Sequence, residues 1–266
     1  MDDLKEVQMC ALDIMKDIDK ICRANDIQYS LCGGSVIGAK LYSGFIPWDD
    51  DIDIMMDRKN YDKFLNIYPS CSKKNYRIVN YRTTDLNEVP ALFSRVVDIK
   101  TEIVETINNQ KNKKGHVFVD ITVFDSVSCK ISHFFRELDR TVTYIYFYKF
   151  HHILPGTKWK QILFRFIPDC IDNQKAIKKF WKYEKRCIQK SKRKTKYCAE
   201  LLGILFPGKI YTYSLFETFT DILFEGENFM IVKDYEEYLF QRYGRREFTK
   251  ENKSGMHSHI ISFKRI

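Results

Sequence analysis

The chain of 266 residues carries 44 Lys+Arg against 35 Asp+Glu, a formal net charge of +9, and 44% of its residues are hydrophobic. This apolar share excludes wholesale disorder, and the length suits one large domain or a core domain with a helical annex. With only 11 Gly and 6 Pro, collagen-like and linker-rich classes are also excluded.

The first part of the chain alternates predicted helices and strands. Apolar residues at steps of three and four predict an amphipathic helix over 3–24, and a short strand over 27–32 runs into Gly33-Gly34-Ser35. The following elements are a helix closed by Gly44, a strand near 52–56, a helix over 58–67 and strands over 76–81, 91–98 and 101–107. The polar run NNQKNKKG predicts a hairpin turn that joins 101–107 to a strand over 116–124.

The middle of the chain reads differently. Residues 130–202 combine helical apolar spacing with many aromatic residues and few turn signals, which predicts a helical subdomain. Residues 203–266 return to mixed short elements. The predicted organisation is therefore a core over 1–129, a basic, aromatic-rich helical subdomain over 130–202 and a C-terminal segment over 203–266.

Cysteines and targeting signals point to the cytoplasm. The N-terminus lacks a basic region followed by an apolar one, and no apolar stretch approaches the ~20 residues of a membrane span. Eight cysteines, at 10, 22, 32, 71, 129, 170, 187 and 198, form neither a CxxC pair nor a zinc-spaced Cys/His cluster. We expect reduced thiols, many of them in the core, and a cytoplasmic protein.

The densest polar signal is the run Trp48-Asp49-Asp50-Asp51-Ile52-Asp53-Ile54. Its carboxylates repel one another and are costly to desolvate unless cations neutralise them. On a strand, Asp49, Asp51 and Asp53 share one face while the isoleucines face a core, an arrangement that suits Mg²⁺ or Mn²⁺. The alternative is a set of solvated turn carboxylates or a helix N-cap. A calcium loop is disfavoured because its sixth and twelfth positions hold Ile54 and Asn60.

Two further segments extend this signal. Gly33-Gly34-Ser35 lies between a strand and a helix, where backbone amides can face an anion, although such a sequence is also a common turn. Asp120 lies in the apolar run 117–124 and needs a partner if it is buried. Either Asp120 ends a strand and caps a loop or pairs with Arg95, or an adjacent strand brings it beside Asp51 and Asp53 as a third carboxylate.

These segments resemble the nucleotidyltransferase superfamily pattern of Gly-Gly-Ser, then Asp-h-Asp-h, then h-Asp-h on a later strand, where h is apolar. More narrowly, GGSVIGAKLYSGFIPWDDDIDIMMDRKNYDKF resembles the LicD family, which includes bacterial phosphocholine transferases, fukutin and fukutin-related protein. VFVDITVFD and FEGENFMIVKDYEEYLFQRYG resemble later segments of that family. The resemblance covers about residues 26–125 and 215–260.

The resemblance implies an α+β fold with a nucleotidyltransferase-like mixed sheet flanked by helices. The helical subdomain predicted above would be inserted before the C-terminal segment, which would complete the substrate cleft. It implies transfer of a phosphocholine-like phospho-alcohol from a CDP-linked donor such as CDP-choline, with release of CMP. The acceptor would be a hydroxyl of a cell-surface glycan, such as lipopolysaccharide or teichoic acid, or of its lipid-linked precursor. Asp49, Asp51, Asp53 and Asp120 would form the metal site, and Asp51, Asp53 and Asp120 would be catalytic. Gly33, Gly34 and Ser35 would face the donor phosphates.

The predicted substrate cleft adds residues whose structural roles are equally plausible from sequence: Trp48, Arg58, Arg95, Glu225, Tyr243, His257 and His259. Trp48 could stack on a nucleobase or a quaternary ammonium, or instead anchor the acidic strand. Two other functions stay open. One is nucleotide transfer from a nucleoside triphosphate with release of pyrophosphate, and the other is a non-catalytic basic module that binds membranes or RNA.

The positive charge is concentrated in one segment. Residues 172–198 hold eleven basic and two acidic residues, so the rest of the chain balances at 33 of each. With interleaved aromatic residues, this stretch predicts peripheral contact with an anionic membrane at its inner face, the alternative being a solvated helix face. No nucleic-acid partner is expected, because the chain outside this segment is not basic.

Overall fold

The computed structural model describes residues 2–82, 93–107, 111–127, 141–143, 145, 158–166, 173–190, 194–200, 209–250 and 260–266. Its helices are α1 (Asp2–Ala24), α2 (Gly33–Tyr42), α3 (Arg58–Cys71), α4 (Lys158–Phe166), α5 (Asn173–Lys190) and α6 (Tyr235–Tyr243). Within these ranges, no helix is both long enough and apolar enough to cross a bilayer.

Local sequence signals account for several helix ends. The Asp57 carboxylate accepts a hydrogen bond from the Asn60 amide at 2.7 Å and caps the start of α3. Gly244, at φ 75°, ends α6 in the left-handed conformation that favours glycine. Contrary to prediction, Gly44 does not end α2: Ser43 takes the left-handed position, at φ 52°. Gly44 instead packs against Glu225, since a Cβ there would lie 2.0 Å from Glu225 Oε1.

The strands are β1 (Ser30–Leu31), β2 (Asp53–Asp57), β3 (Tyr76–Val79), β4 (Ser94–Asp98), β5 (Thr101–Ile107), β6 (Lys111–Gly115), β7 (Phe118–Val127), β8 (Tyr197–Ala199), β9 (Ile210–Thr212), β10 (Phe219–Phe224), β11 (Glu227–Val232) and β12 (Ile260–Arg265). The main sheet has the order β1-β2-β7-β4-β3, and β8 extends it from β7 to β9. Only β2 and β7 pair in parallel in this sheet; its other pairings are antiparallel. The predicted α+β fold with a mixed sheet flanked by helices is confirmed.

The predicted hairpin between 101–107 and 116–124 is wrong. The strand over 101–107 is present as β5, but it pairs with β6 and β12 and not with β7. Lys111–Gly115, which the sequence predicted as part of the turn, is itself strand β6 at the edge of this three-stranded sheet. Lysine-rich strands are typical of sheet edges, where charge discourages further pairing, so their polarity mimics a turn.

The helical middle is also interrupted. Helices α4 and α5 lie where the sequence predicted helix, but Tyr197–Ala199 forms β8 and pairs with the end of β7. The division of the chain into 1–129, 130–202 and 203–266 stays a prediction. The six cysteines within the described ranges are free thiols and all but Cys71 are buried, as expected for core residues.

A buried ionic network fixes α5 against the core. The Glu184 carboxylate is 1% exposed and accepts hydrogen bonds from Arg58 at 2.8 Å, from Arg82 at 2.5 Å and from Tyr81. Burial opposes its charge, but the hydrogen bond and positive charge of Arg82 and the charge of Arg58 outweigh it and lower the pKa of Glu184. Arg58 also binds Asp125 of β7 in bidentate fashion, at 2.7 and 2.9 Å. The network therefore joins α5, α3 and the sheet.

Replacing Glu184 by Ala should lower the free energy of unfolding by about 3–5 kcal/mol, because two partly buried guanidinium groups lose a shared, fully buried partner. Denaturant unfolding measures this change. Glu247→Ala, at an exposed position, is the matched control and should change stability by less than about 0.5 kcal/mol. Equal stabilities of the two variants would contradict the anchoring role, and Glu184→Gln provides a milder substitution should the alanine variant not fold.

Candidate active site

Parallel pairing of β2 with β7 creates the site. Its register places Asp53 beside Asp120 and Ile54 beside Ile121. The isoleucines are fully buried, so the hydrophobic core fixes this register and turns the two carboxylates to the opposite face of the sheet. Two residues far apart in sequence thereby become neighbours.

The carboxylates converge on one point. Asp51, Asp53 and Asp120 each offer an oxygen such that all three oxygens lie within 4.8 Å of one another, and the same holds for Asp49, Asp50 and Asp51. Residues 49–52 have no regular secondary structure, so only Asp53 of the acidic run lies on β2. Asp51 belongs to both groups, so a loop and two strands, and not one continuous strand, supply the predicted metal ligands.

Asp50 has a structural role. Its Oδ2 accepts a hydrogen bond from the backbone amide of Ile260 at 2.9 Å, and its side chain is buried. This bond connects the acidic loop to the start of β12. Of the four aspartates in the run, Asp50 is the one that the sequence did not assign to the metal site.

Gly33 and Gly34 make room for the carboxylates. A Cβ on Gly33 would lie 2.8 Å from Asp53 Oδ2, and a Cβ on Gly34 would lie 2.8 Å from Asp49 Oδ2, both closer than real Cβ contacts. Gly33 also has φ 59°, which disfavours a side chain. The N-terminal end of α2, whose dipole favours negative charge, thus lies directly against two of the acidic residues.

Ser35 and two of the three loop amides form hydrogen bonds within the protein. The Ser35 hydroxyl accepts a hydrogen bond from the Asp53 amide at 2.9 Å and so ties the glycine loop to the acidic strand. The Gly33 amide donates to the Tyr238 hydroxyl at 3.0 Å, and the Ser35 amide donates to the Cys32 carbonyl at 3.1 Å. Two of the three amides predicted to face phosphate therefore have protein acceptors.

Repulsion and burial raise the pKa values of the central carboxyls. Burial and the charge of Asp120 raise the pKa of Asp53 to about 8, against a smaller opposing effect of Arg242. Burial and the charges of Asp53 and Asp49 hold the pKa of Asp51 well above its usual range. Within the described ranges, neither side chain accepts a hydrogen bond. Such a set of oxygen ligands fits a hard divalent cation, which would replace the missing positive charge.

Arg95 is the partner of Asp120. In the antiparallel register of β4 and β7, Arg95 lies beside Asp120, and its Nε donates to Asp120 Oδ1 at 2.6 Å. Both alternatives drawn from the sequence are therefore present at once: Asp120 pairs with Arg95 and also faces Asp51 and Asp53. The ion pair stabilises the ionised form of Asp120.

Sequence reasoning missed Arg242, although it lies in the quoted segment QRYG. Its Nη2 lies 3.7 Å from the position of a Cβ on Gly33, beside Asp53. Its Nη1 donates to Glu200 at 2.6 Å and to the Tyr211 hydroxyl at 3.1 Å, and its buried Nε has no partner in the described ranges. Arg242 therefore brings positive charge to the cluster from α6.

Arg58 is not where the predicted cleft would need it. Its guanidinium is bound by Asp125 and Glu184, and its side chain is 12% exposed. Asp125 lies five residues beyond Asp120 on β7, about 17 Å along the strand and on its opposite face. The prediction that Arg58 lies in the substrate cleft is thus corrected to a role in joining α5 to the core, because two buried carboxylates compete successfully for it.

Other predicted cleft residues have defined contacts. Trp48 is half-buried, and its ring packs edge-on against that of Tyr42, with 6.4 Å between the ring centres. Glu225, at φ 50°, accepts a hydrogen bond from the Phe45 amide at 3.1 Å and so holds the loop after α2. Tyr243 packs edge-on against Phe248 at 5.5 Å. Contacts with substrate stay predictions for these residues, and His257 and His259 lie outside the described ranges.

The comparison with known proteins decides the family. The model of the LicD/FKTN/FKRP nucleotidyltransferase domain matches residues 26–161, about half of the chain, and includes every acidic residue of the cluster. The chain belongs to the LicD family. The family predicted from the sequence is thereby confirmed.

Relatives of this LicD-family chain include one curated enzyme. The chain is 29% identical over 252 residues to the lipopolysaccharide cholinephosphotransferase LicD of Haemophilus influenzae, an alignment that covers 91% of this chain and 90% of the relative. It is also 35% identical over 65 residues to the uncharacterized protein RT0683 of Rickettsia typhi, covering 24% of this chain and 21% of that protein. The similarity to the Haemophilus protein thus extends well beyond the matched domain.

Asp53→Asn should stabilise the metal-free LicD-family protein. Because the folded pKa of about 8 exceeds the ordinary value near 4, the folded state holds a proton that the unfolded state has released, and stability falls as pH rises between these values. We expect thermal unfolding in EDTA to show this fall between about pH 5 and pH 8. The variant should flatten it and raise Tm at the upper pH by about 2–4 °C.

Asp13→Asn, at an exposed position of α1, is the control and should keep the pH dependence of the unmodified protein. If Asp53→Asn also leaves that dependence unchanged, the carboxylates do not repel one another as the geometry indicates.

Proposed function

We propose that this protein transfers a phosphocholine-like phospho-alcohol from a CDP-linked donor to a hydroxyl of a cell-surface glycan or of its lipid-linked precursor, releasing CMP. The observation that carries the proposal is the convergence of Asp51, Asp53 and Asp120 on one point in a member of the LicD family. The name of the Haemophilus relative, a lipopolysaccharide cholinephosphotransferase, supports both the transferred group and the class of acceptor.

Asp49, Asp51, Asp53 and Asp120 would hold Mg²⁺ or Mn²⁺ through carboxylate oxygens. When bound, such an ion supplies positive charge that stabilises the phosphate oxygens as negative charge develops on the leaving group. The burial and mutual repulsion that raise the pKa values of Asp51 and Asp53 support this assignment. Whether one or two ions bind does not alter the roles of the residues below.

The transfer itself is a substitution at phosphorus. The acceptor hydroxyl gives up its proton, to a carboxylate base or to water, and forms a bond to the phosphorus that carries the alcohol. The bond from that phosphorus to the bridging oxygen breaks, and CMP leaves with that oxygen. The protein contributes mainly orientation and charge, because phosphoryl transfer needs little covalent help. Arg242 and the start of α2 lie beside Asp53 and favour an anionic donor at that edge of the cluster.

Asp120 has two predicted roles, ligand and general base. The ion pair with Arg95 favours the ligand role, since a guanidinium at 2.6 Å stabilises the ionised carboxylate and weakens it as a base. Arg95 then acts as a positioning residue that fixes the direction of the Asp120 oxygens.

Product analysis tests the proposed donor. The purified protein is incubated with Mg²⁺ and a glycan acceptor, together with CDP-choline, CDP-ribitol, CDP-glycerol or a nucleoside triphosphate. We expect CMP from at least one CDP-alcohol and no pyrophosphate from the triphosphates. Pyrophosphate release without CMP would instead establish nucleotidyl transfer, and neither product would favour a non-catalytic module.

Asp51→Asn and Asp53→Asn should each lower kcat/KM for the CDP-alcohol by at least about 10³-fold, because each removes a charged oxygen ligand at the reacting phosphate. Steady-state release of CMP measures the effect, and thermal unfolding shows that the variants are folded. Asp13→Asn should retain full activity. A folded Asp51→Asn, Asp53→Asn double variant that still releases CMP would refute the assignment of these residues.

A further inference from the structure

Four lysines of α5 form one exposed stripe. Lys175, Lys178, Lys182 and Lys185 recur at steps of three and four residues, so they lie on one side of the helix, and all four are exposed. The 18 residues of α5 contain seven basic residues and a single acidic one, Glu184. The sequence placed the positive charge in segment 172–198, and four of its lysines lie on one side of α5.

The opposite side of α5 is locked into the protein. Ala176, Phe180, Tyr183 and Cys187 are at most 2% exposed, and Glu184 is held by Arg58 and Arg82. Because this inner side is fixed by both apolar packing and buried ion pairs, the helix cannot rotate without breaking them. The lysine stripe therefore faces outward as a permanent feature of the fold.

Apolar side chains are also exposed on α5 and on α4. Trp181 is 37% exposed, and its ring is held edge-on to Tyr81 at 5.9 Å, with the Arg82 guanidinium 5.7 Å from its centre. On α4, which ends seven residues before α5 begins, Ile162 and Phe166 are 55% and 81% exposed and lie one turn apart. The Lys185 ammonium lies 5.9 Å from the centre of the Trp181 ring, and an exposed aromatic residue beside lysines is characteristic of helices that lie in a membrane interface.

We propose that the outer face of α5, together with Ile162 and Phe166 of α4, docks the protein on an anionic lipid bilayer. The lysines match the charge of anionic headgroups, and the apolar side chains match the boundary between headgroups and acyl chains. A nucleic acid would match the lysines alone and would leave Ile162 and Phe166 exposed. The inference concerns a surface that contains no residue of the acidic cluster, so it does not depend on the proposed transfer reaction.

Vesicle co-sedimentation of the full-length protein tests the proposal. We expect binding to phosphatidylcholine vesicles that contain about one third phosphatidylglycerol, weak binding to pure phosphatidylcholine, and a loss of binding as salt rises. Each lysine near such a surface contributes about a factor of five to the partition coefficient. Changing Lys175, Lys178, Lys182 and Lys185 together to Gln should therefore weaken binding by at least about 50-fold.

The matched control changes Lys20, Lys73, Lys74 and Lys233 to Gln. These lysines are exposed on α1 and in loops away from α5, and their replacement gives the same change in net charge, so binding should weaken by less than about threefold. An Ile162→Ser, Phe166→Ser variant tests the apolar part and should weaken binding about tenfold at constant charge. All these residues are exposed, and thermal unfolding checks that the variants fold.

Equal loss of binding in both lysine variants would overturn the proposal, since it would reduce the effect to net charge. Binding to single-stranded or duplex RNA that exceeds binding to the anionic vesicles would overturn it in favour of a nucleic-acid surface. Asp53→Asn should bind the vesicles like the unmodified protein. Vesicle binding tests membrane docking and CMP release tests the transfer reaction, so the failure of one proposal can be distinguished from the failure of the other.

Discussion

Repulsion among neighbouring carboxylates is the constraint on which this structure depends. The parallel register of β2 and β7 forces Asp53 against Asp120, and the buried residues Ile54 and Ile121 on the other face of the sheet hold it there. Each such buried side chain contributes about 1.5–3 kcal/mol, enough to offset an arrangement that is unfavourable without a cation. Apolar packing therefore holds several carboxylates together at the ends of two strands. Arg95 and Arg242 neutralise part of their negative charge, and the charge that remains fits a metal ion.

The glycine pair has a structural role beside its predicted function. The sequence predicted that the amides of Gly33-Gly34-Ser35 face a donor phosphate, which stays a prediction, and the structure places the Asp53 and Asp49 carboxylates directly against the two glycines. Side chains are excluded at Gly33 and Gly34 because Asp53 and Asp49 occupy the space, and Ser35 fixes the loop to β2 through its hydroxyl. The loop and the acidic run are therefore one unit, which explains why their spacing along the chain is informative.

Periodicity and motif spelling made much of the fold and the site predictable. The helix over 3–24, the strand over 101–107 and the grouping of Asp49 with Asp51 follow from patterns that are local or closely spaced. The grouping of Asp120 with Asp51 and Asp53 was predicted from the resemblance of the longer motif. The errors occur where local polarity conflicts with long-range pairing. The sequence predicted a turn at Lys111–Gly115 because an edge strand carries charged residues, as turns do. It predicted that Arg58 binds phosphate because the partner of Arg58, Glu184, lies far along the chain. Arg242 was missed for the same reason: its proximity to Asp53 exists only after α6 has packed.

On α5, the packing of the helix and the charge of its outer face depend on different residues. Glu184 and its buried apolar neighbours fix the position of the helix, whereas the four lysines of the stripe are exposed on its other side. Natural variation in the number of outward charges can therefore proceed without disturbing the core. The charge of this face can therefore differ among related proteins without a change in the packing of the helix or in the arrangement of the acidic cluster.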